Sequence, residues 1–322
     1  MLLHRTHLQC RACLLTNTIP HSAHGTPDRA PMHRIGIDIG GTKIQAITLD
    51  ARGTVVHDAR IDTPSTYDDL LSAVRTLVRQ AGDGTVGIGA PGSSSPVTGL
   101  WRNANLLACN GRAFHGDLQH AIGRDIRTGN DANCFALSEA AHGAARGRDV
   151  VAFLTIGTGL GGGLVIGGRV ITGAHGEAAE FGHTGLPWMT DDDLPPRDCY
   201  CGKRGCVEMY VSGTGLAKDY LLTTGQPLTG PAIIDAARRG DAHAGAALVR
   251  LQHRLARSCA NIVNMIDPDI FVLGGGMAAL PELIDGMPAL IARYTFSGTA
   301  TPEVVRAMFS DSGARGAALL WA

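Results

Sequence analysis

The chain has 322 residues, 44 % of them hydrophobic and 18 % charged, which is enough apolar material for one large domain or two of ordinary size. A formal net charge of −1 leaves no electrostatic footprint for nucleic acid, so no such partner is expected. No apolar run approaches the roughly 20 residues that span a bilayer. Eight cysteines are too few and too unevenly placed for a disulfide scaffold. A soluble, cytoplasmic protein with no membrane partner is therefore expected.

Residues 1–31 scatter His, Arg, Thr and Pro without periodicity, and their apolar runs are too short for a signal sequence. They read as a disordered or misassigned leader, with the folded chain expected to begin near Met32. Cys10-Arg-Ala-Cys13 has the spacing of a redox motif but no βαβ context, and is expected to be inert. From residue 34 three strands follow, RIGIDIG, KIQAITLD and TVVHDAR, with turns at Gly40-Gly41 and at 50–53. Next come a helix (YDDLLSAVRTLVRQA), a buried strand (TVGIGAPG), a helix (AFHGDLQHAIG), the strand DIRT and the helix ANCFALSEAAHGAA.

The opening then recurs. VAFLTIGTGLGGGLVIGGRVITG, residues 151–173, is again strand, glycine turn, strand, glycine turn, strand, and Ile39-Gly40-Gly41 overlays Ile156-Gly157-Thr158. Two glycine-cornered meanders, each followed by strand–helix units, imply two similar lobes around a cleft. Further on, a helix broken at Pro268 leads to a buried strand, Gly274-Gly275-Gly276 and a helix, an arrangement that exposes backbone N–H groups at the strand's carboxyl edge. The tail SGARGAALLW is expected to be an amphipathic helix.

GTGLGG at 157–162 satisfies G-x-G-x-x-G, but the residues after it continue as strand rather than helix, so a dinucleotide fingerprint is rejected. No Walker-type G-x-x-x-x-G-K-[ST] is present. What remains is one glycine hairpin turn per half. Either these are plain tight turns, or their N–H groups grip a polyphosphate from two sides, with Asp38, Thr42 and Thr158 at the tips.

Cys199, Cys201 and Cys206 crowd into eight positions, too close for easy mutual disulfides and well spaced for chelation. With His183 upstream they would complete a closed tetrahedral zinc site, with coincidence as the alternative. Asp131, in T-G-N-D-A-N at the start of a helix, reads by itself as part of a cap or as a carboxylate placed for proton transfer.

The run Asp38-Ile-Gly40-Gly41-Thr42-Lys43 together with GTGLGGG at 157–163 resembles the phosphate motifs of the ROK sugar kinases, across nearly all of the chain from Met32 to Trp321. C-Y-C-G-K-R-G-C-V-E at 199–208 is similar to that family's zinc motif, and E-F-G-H at 180–183 and N-D-A-N at 130–133 to its sugar and catalytic segments. The resemblance implies an α/β, two-lobed hexokinase/actin-like ATPase (ribonuclease H-like) fold with a structural zinc loop. It implies a small lobe at 32–129 joined by the C-terminal helix at about 312–322, and a large lobe at 130–311 carrying the zinc loop 183–208. Asp131 would be the general base. Asn105, Asn130, Glu180, His183 and Glu208 would bind sugar hydroxyls, with one ring nitrogen of His183 on zinc and the other facing the sugar. Asp38 would lie near catalytic Mg²⁺ and the phosphates of ATP. Gly40, Gly41, Thr42, Lys43, Gly157, Thr158 and Gly159 would line those phosphates, and Gly274, Gly275, Gly276 and Met277 the adenosine. One departure stands out: Ala179 occupies a position before Glu180 where the family commonly has Gly.

Within the family, GIGAPGSSSPVTGLWRNANLLACNGRAF and LPWMTDDDL resemble the bacterial fructokinase/mannokinase branch, which implies transfer from ATP to D-fructose, with mannose and glucose secondary. N-acetylglucosamine kinases share NDANCFALSEA and are the alternative. A DNA-binding repressor would need a helix-turn-helix that the leader does not resemble. A sugar sensor without turnover is the other non-enzyme reading, opposed by the intact Asp131. A homodimer is expected.

Overall fold

The structure is a computed structural model and describes residues 33–321; the leader, with Cys10 and Cys13, lies outside the described residues. RIGIDI alternates in the strand period, and strand β1 (Arg34–Ile39) accordingly turns Ile35, Ile37 and Ile39 to one face and Gly36 and Asp38 to the other. It pairs antiparallel with β2 (Lys43–Leu49), which pairs with β3 (Val55–Asp62). On its other side β1 runs parallel to β4 (Thr85–Ala90). Strands β5 (Ser93–Ser94) and β6 (Trp101–Arg102) form a separate ribbon, and β7 (Ile126–Asn130) completes the first sheet in the order β3-β2-β1-β4-β7.

The second half repeats the pattern. Strands β8 (Val150–Ile156), β9 (Leu160–Ile166) and β10 (Arg169–Val170) form the meander, and β11 (Ile270–Gly274) and β12 (Glu303–Arg306) add in parallel, giving β10-β9-β8-β11-β12. Two sheets of identical order and sense are what the repeated glycine-cornered opening predicted.

Helices α1 (Tyr67–Ala81) and α2 (Phe114–Ile122) cover the isoleucine face of the first sheet through Leu70, Val74, Phe114 and Leu118. Helix α1 matches its predicted span, because Thr66 caps it by accepting from Asp69 N and Gly82, at φ 87°, ends it. The second sheet is covered on one face by α3 (Asp131–Ala141), which packs Ala132 and Ala136 on Phe153 and Val272. On the other face lie α4 (Gly213–Thr224), α5 (Gly230–Arg238), α6 (Ala242–Ile266) and α7 (Met287–Ala292), against Leu154, Phe271 and Leu273.

Two expectations need correction. The chain after Gly274-Gly275-Gly276 is not one helix but two 3₁₀ turns, Gly276–Ala279 and Pro281–Leu283, before the six-residue α7. Pro281 cannot donate to a continuing helix, and Gly286, at φ 72°, turns the chain again. The tail helix α8 (Ser312–Ala318) is not amphipathic: Ser312, Gly313, Ala314, Gly316, Ala317 and Ala318 are all buried.

Helix α8 lies between the first sheet and α3 at backbone-contact distance. A Cβ on Gly36 would sit 1.8 Å from the Ala314 carbonyl oxygen, one on Gly87 1.8 Å from that of Ala317, and one on Gly316 1.6 Å from that of Cys134. Glu139, buried on α3, fastens the junction: its carboxylate accepts from Met308 N (3.0 Å), Phe309 N (3.1 Å), Ser312 Oγ (2.6 Å) and Ala144 N (2.9 Å). Gly316→Ala is therefore expected to destabilise the protein by about 3 kcal/mol or more, since backbone meets backbone there and neither side can rotate away. Equilibrium denaturation of the variant against the parent measures this, and a loss below about 1 kcal/mol would refute the packing argument.

Candidate active site

Alternation along β1 brings Asp38 to the α8 face: a Cβ on Gly313 would lie 2.5 Å from Asp38 Oδ2. Strand β7 ends at Asn130, whose side-chain oxygen caps α3 by accepting from Asn133 N (3.2 Å) while its Nδ2 donates to Gly92 O (3.2 Å). The cap in N-D-A-N is Asn130, and Asp131 follows as the first residue of the helix, so capping does not use the Asp131 side chain. Asp131 Oδ1 accepts from Ala132 N (2.9 Å).

Burial, and secondly the charge of Asp131, push the Asp38 carboxyl up from 3.8 to about 7. Burial likewise raises Asp131, against hydrogen bonds from its own helix start that favour the carboxylate. Burial is the first cause in both cases, and the Asp131 charge adds to it at Asp38, so Asp38 holds its proton to a higher pH than an exposed aspartate.

Glu208 is buried in the 3₁₀ turn Val207–Met209, and its Oε2 accepts from Leu160 N (2.9 Å) at the start of β9. Glu180 is raised first by partial burial, with Asp131 and Glu208 both adding repulsion. These carboxylates share one electrostatic neighbourhood. Ala179 stands at φ 64°, in the left-handed region, which gives the physical reason a glycine is usual there. Asn105 is exposed in the loop after β6, beside Ala104, which packs on Gly92 below Asn130.

The predicted phosphate glycines divide into two kinds. Gly40, Gly159, Gly274 and Gly275 are hemmed in by the protein: added Cβ atoms would meet Lys43 O (3.1 Å), the tip of the Glu208 side chain (2.5 Å), the Phe153 ring (2.7 Å) and Ile156 O (2.5 Å). Gly41, Gly157 and Gly276 are not, because a Cβ on any of them meets no protein atom within 4 Å and none has a positive φ. Each therefore leaves open space against bare backbone at a strand end, which fits a phosphate or a nucleotide approaching closely. Thr42, Lys43 and Thr158 are exposed at the same turns, and Met277 is buried in the turn beside Gly213.

His183, Cys199, Cys201 and Cys206 bring their four ligand atoms within 4.8 Å of one another. Cys201 and Cys206 sulfurs lie 3.6 Å apart and Cys199 Sγ lies 3.7 Å from His183 Nδ1. Bonds of about 2.3 Å to zinc at tetrahedral angles set thiolates at such separations, so the donor set fits this metal. Short bridges at Gly185–Cys206 and Asp198–Arg204 frame the loop. One detail differs from expectation. His183 Nε2 does not face an open sugar position but pairs with Tyr200 Oη at 2.9 Å, with the two rings edge-to-face.

Sequence reasoning missed three groups. Gly213 N donates to Gly157 O (2.8 Å) and Thr214 Oγ1 to Thr158 O (2.9 Å), so the start of α4 holds the second glycine turn. Ser212, the cap of α4, ahead of a helical pattern was the available signal. Tyr200 had none. The third is a buried ion cluster. Arg254 bonds Asp193 Oδ1 (2.7 Å) and Asp219 Oδ1 (2.6 Å), Arg257 bonds Asp193 Oδ2 (2.8 Å), and Arg250 and Arg197 both bond Asp219. It pins the loop between His183 and Cys199 onto α6. Arg250, Arg254 and Arg257 fall at i, i+4 and i+7, a one-face stripe that could have been read.

The ROK family model matches residues 34–322. The chain belongs to the ROK family. An N-acetyl-D-glucosamine kinase of Escherichia coli is 40 % identical over 296 residues, covering 88 % of this chain and 98 % of the relative. A ROK hexokinase from Thermus thermophilus superposes with a TM-score of 0.79 at 31 % identity, covering 89 % of this chain and 97 % of that one. A ROK glucokinase from Streptomyces griseus, solved with glucose and AMPPNP, gives 0.71 at 30 % identity, with 89 % and 98 % covered. The two-lobed α/β fold expected from the sequence is thus that of the ROK hexokinases. None of the described helices is long and apolar enough to cross a membrane.

Two outcomes follow for this member of the family. Cys206→Ser is expected to lower bound zinc, measured by atomic absorption, from about one ion per chain to a small fraction, and to open the 184–206 loop to protease; full zinc retention would refute the ligand set. For Asp38, the raised carboxyl binds more protons in the folded than in the unfolded chain between its ordinary value of 3.8 and about 7, so its contribution to stability falls as pH rises through that window. Asp38→Asn is accordingly expected to raise the melting temperature at pH 8 and to leave it nearly unchanged at pH 4. A pH-independent difference would show that the carboxyl is not perturbed.

Proposed function

We propose that the protein is an ATP-dependent hexose kinase whose base is Asp131 and whose substrate is N-acetyl-D-glucosamine. The observation that supports the phosphotransfer reading is the open side-chain space at the two glycine turns, Gly41 at the end of the strand that carries Asp38 and Gly157 at its counterpart in the second sheet. The substrate rests on the 40 % identity to the Escherichia coli N-acetyl-D-glucosamine kinase. Fructose, favoured by the resemblance of the 87–114 segment, is the second reading.

In this proposal Asn105, Asn130, Glu180, His183 and Glu208 hold the sugar hydroxyls. Carboxylates suit that task because each accepts two hydroxyl protons in a fixed plane. For His183 to join them, Tyr200 must release its Nε2. Asp131, its carboxyl raised by burial and held by the start of α3, accepts the proton of the attacking hydroxyl. The open backbone at Gly41, Gly157 and Gly276 receives ATP, with Thr42, Lys43 and Thr158 at the phosphates and Met277 towards adenosine. Mg²⁺, when bound near Asp38, spreads the phosphate charge. Zinc on His183 and the three cysteines holds the sugar loop. The lobes 33–129 with α8 and 130–311 close to exclude water, and the protein acts as a homodimer.

The test is ADP release from Mg·ATP with N-acetylglucosamine, fructose, mannose and glucose in parallel. N-acetylglucosamine is expected to give the highest kcat/KM, and Asp131→Asn to lower kcat by about 10²–10⁴. Fructose ahead would move the specificity to the second reading, and no turnover on any hexose would overturn the kinase proposal.

A further inference from the structure

A cavity of about 250 Å³ opens beside the buried ion cluster, away from the carboxylates of the active site, and Arg250, His253, Arg254, Arg257 and Tyr294 contribute to its walls. Its charge is unbalanced. Four arginines (197, 250, 254 and 257) meet only two buried aspartates (193 and 219). Asp192, which also lines the opening, makes no ion pair among the described residues, and counting it still leaves three acids to four arginines with His253 beyond them. Behind the cavity wall, desolvation first and the neighbouring Arg254 charge second pull Arg197 below its ordinary pKa, with Asp219 opposing them. Taking such charge out of water without a counter-ion is unfavourable, and guanidinium forks match the oxygens of a phosphate.

The walls say more about the ligand. Arg250 uses Nε and one terminal nitrogen on Asp219, and remains one-fifth exposed at the rim. His253 Nδ1 pairs with Tyr294 Oη (3.2 Å), and Tyr294 stacks on Trp188 with centroids 6.1 Å apart. A phosphate group alone would leave most of the volume empty, whereas an aromatic wall next to a cationic floor suits a sugar ring carrying a phosphate.

We propose that this cavity is a second, regulatory site for a hexose phosphate monoester. Its floor is mechanically joined to the sugar loop. Arg254 and Arg257 hold Asp193, and Arg257 also bonds the carbonyl of Trp188, in the segment between the zinc ligands His183 and Cys199. A phosphate drawing on these arginines competes with Asp193 and loosens that segment, lowering sugar affinity. The site rests on charge and shape, independently of the kinase reading.

Isothermal titration of the full chain with glucose 6-phosphate at fixed ionic strength tests it, with inorganic phosphate as a second titrant. The parent is expected to bind an equivalent that Arg250→Met and His253→Ala each weaken at least about tenfold, the loss of one charge-assisted hydrogen bond. Glu208→Gln should leave that equivalent in place and remove only binding at the active site; if the kinase reading failed, Glu208→Gln would change nothing while the other two variants still acted. Both Arg250→Met and His253→Ala should retain basal turnover. Should one variant fail to fold, the other carries the test. Glucose 6-phosphate binding that neither weakens, or that Glu208→Gln abolishes entirely, overturns the site, and inorganic phosphate binding as tightly as the sugar phosphate overturns the hexose assignment.

Discussion

Everything at the candidate active site depends on how closely α8 approaches its neighbours. The helix touches the first sheet and α3 backbone to backbone, a contact that only Gly36, Gly87 and Gly316 permit. Asp38 sits on one side of that junction and Asp131 begins the helix on the other, so the separation of the two carboxylates is set by glycine rather than by flexible side chains. Glu139 supplies the matching polar constraint, its one buried carboxylate satisfying three donors from the far end of the chain and Ala144 N close by. A burial this complete with every bond made stabilises; with one missing it would be costly. Both carboxyls are buried by this packing, and burial is the main reason that their affinity for protons is raised.

A second constraint governs the loop that carries the proposed metal ligands. Between His183 and Cys199 the chain has no regular secondary structure beyond a single 3₁₀ turn, Asp191–Asp193. It is held at one end by the proposed metal ligands and in the middle by Asp193 on Arg254 and Arg257. Tyr210 fills the space between, its ring under the Arg197 and Arg254 guanidinium groups and its hydroxyl donating to the Asp193 carbonyl (3.0 Å). A loop fixed at both points holds His183 and the segment that leads to Cys199 with little freedom.

Glycine carries three different physical duties here, and they have different consequences. At Gly36, Gly87 and Gly316 its missing side chain is packing. At Gly275 and Gly202 it is a backbone turn at positive φ. At Gly41, Gly157 and Gly276 neither explanation applies, and the vacant volume itself is the feature. Ala179 shows the converse: a side chain placed where the backbone wants glycine, at a strain of about 1 kcal/mol.

The sequence alone determined the two repeated meanders, because alternation with period two and glycine corners are local patterns. It also determined the four metal-ligand candidates, since three cysteines within eight residues leave little geometric choice, and the position of Asp131 at the start of a helix. Other features were decided only by contacts between residues far apart in the chain. Glu139 meets Met308, 169 residues away, and nothing near either position announces it. The tail helix reads as amphipathic from its sequence, yet all of its residues but Arg315 are buried, because Gly36 and Gly87 on the sheet and Gly316 on the helix let its neighbours close on it. Tyr200 claims the free nitrogen of His183 only once the zinc loop has folded back. Tertiary structure also separated the glycines that open space for a ligand from those the fold itself consumes, a distinction that needs the neighbouring atoms and that a string of residues does not contain.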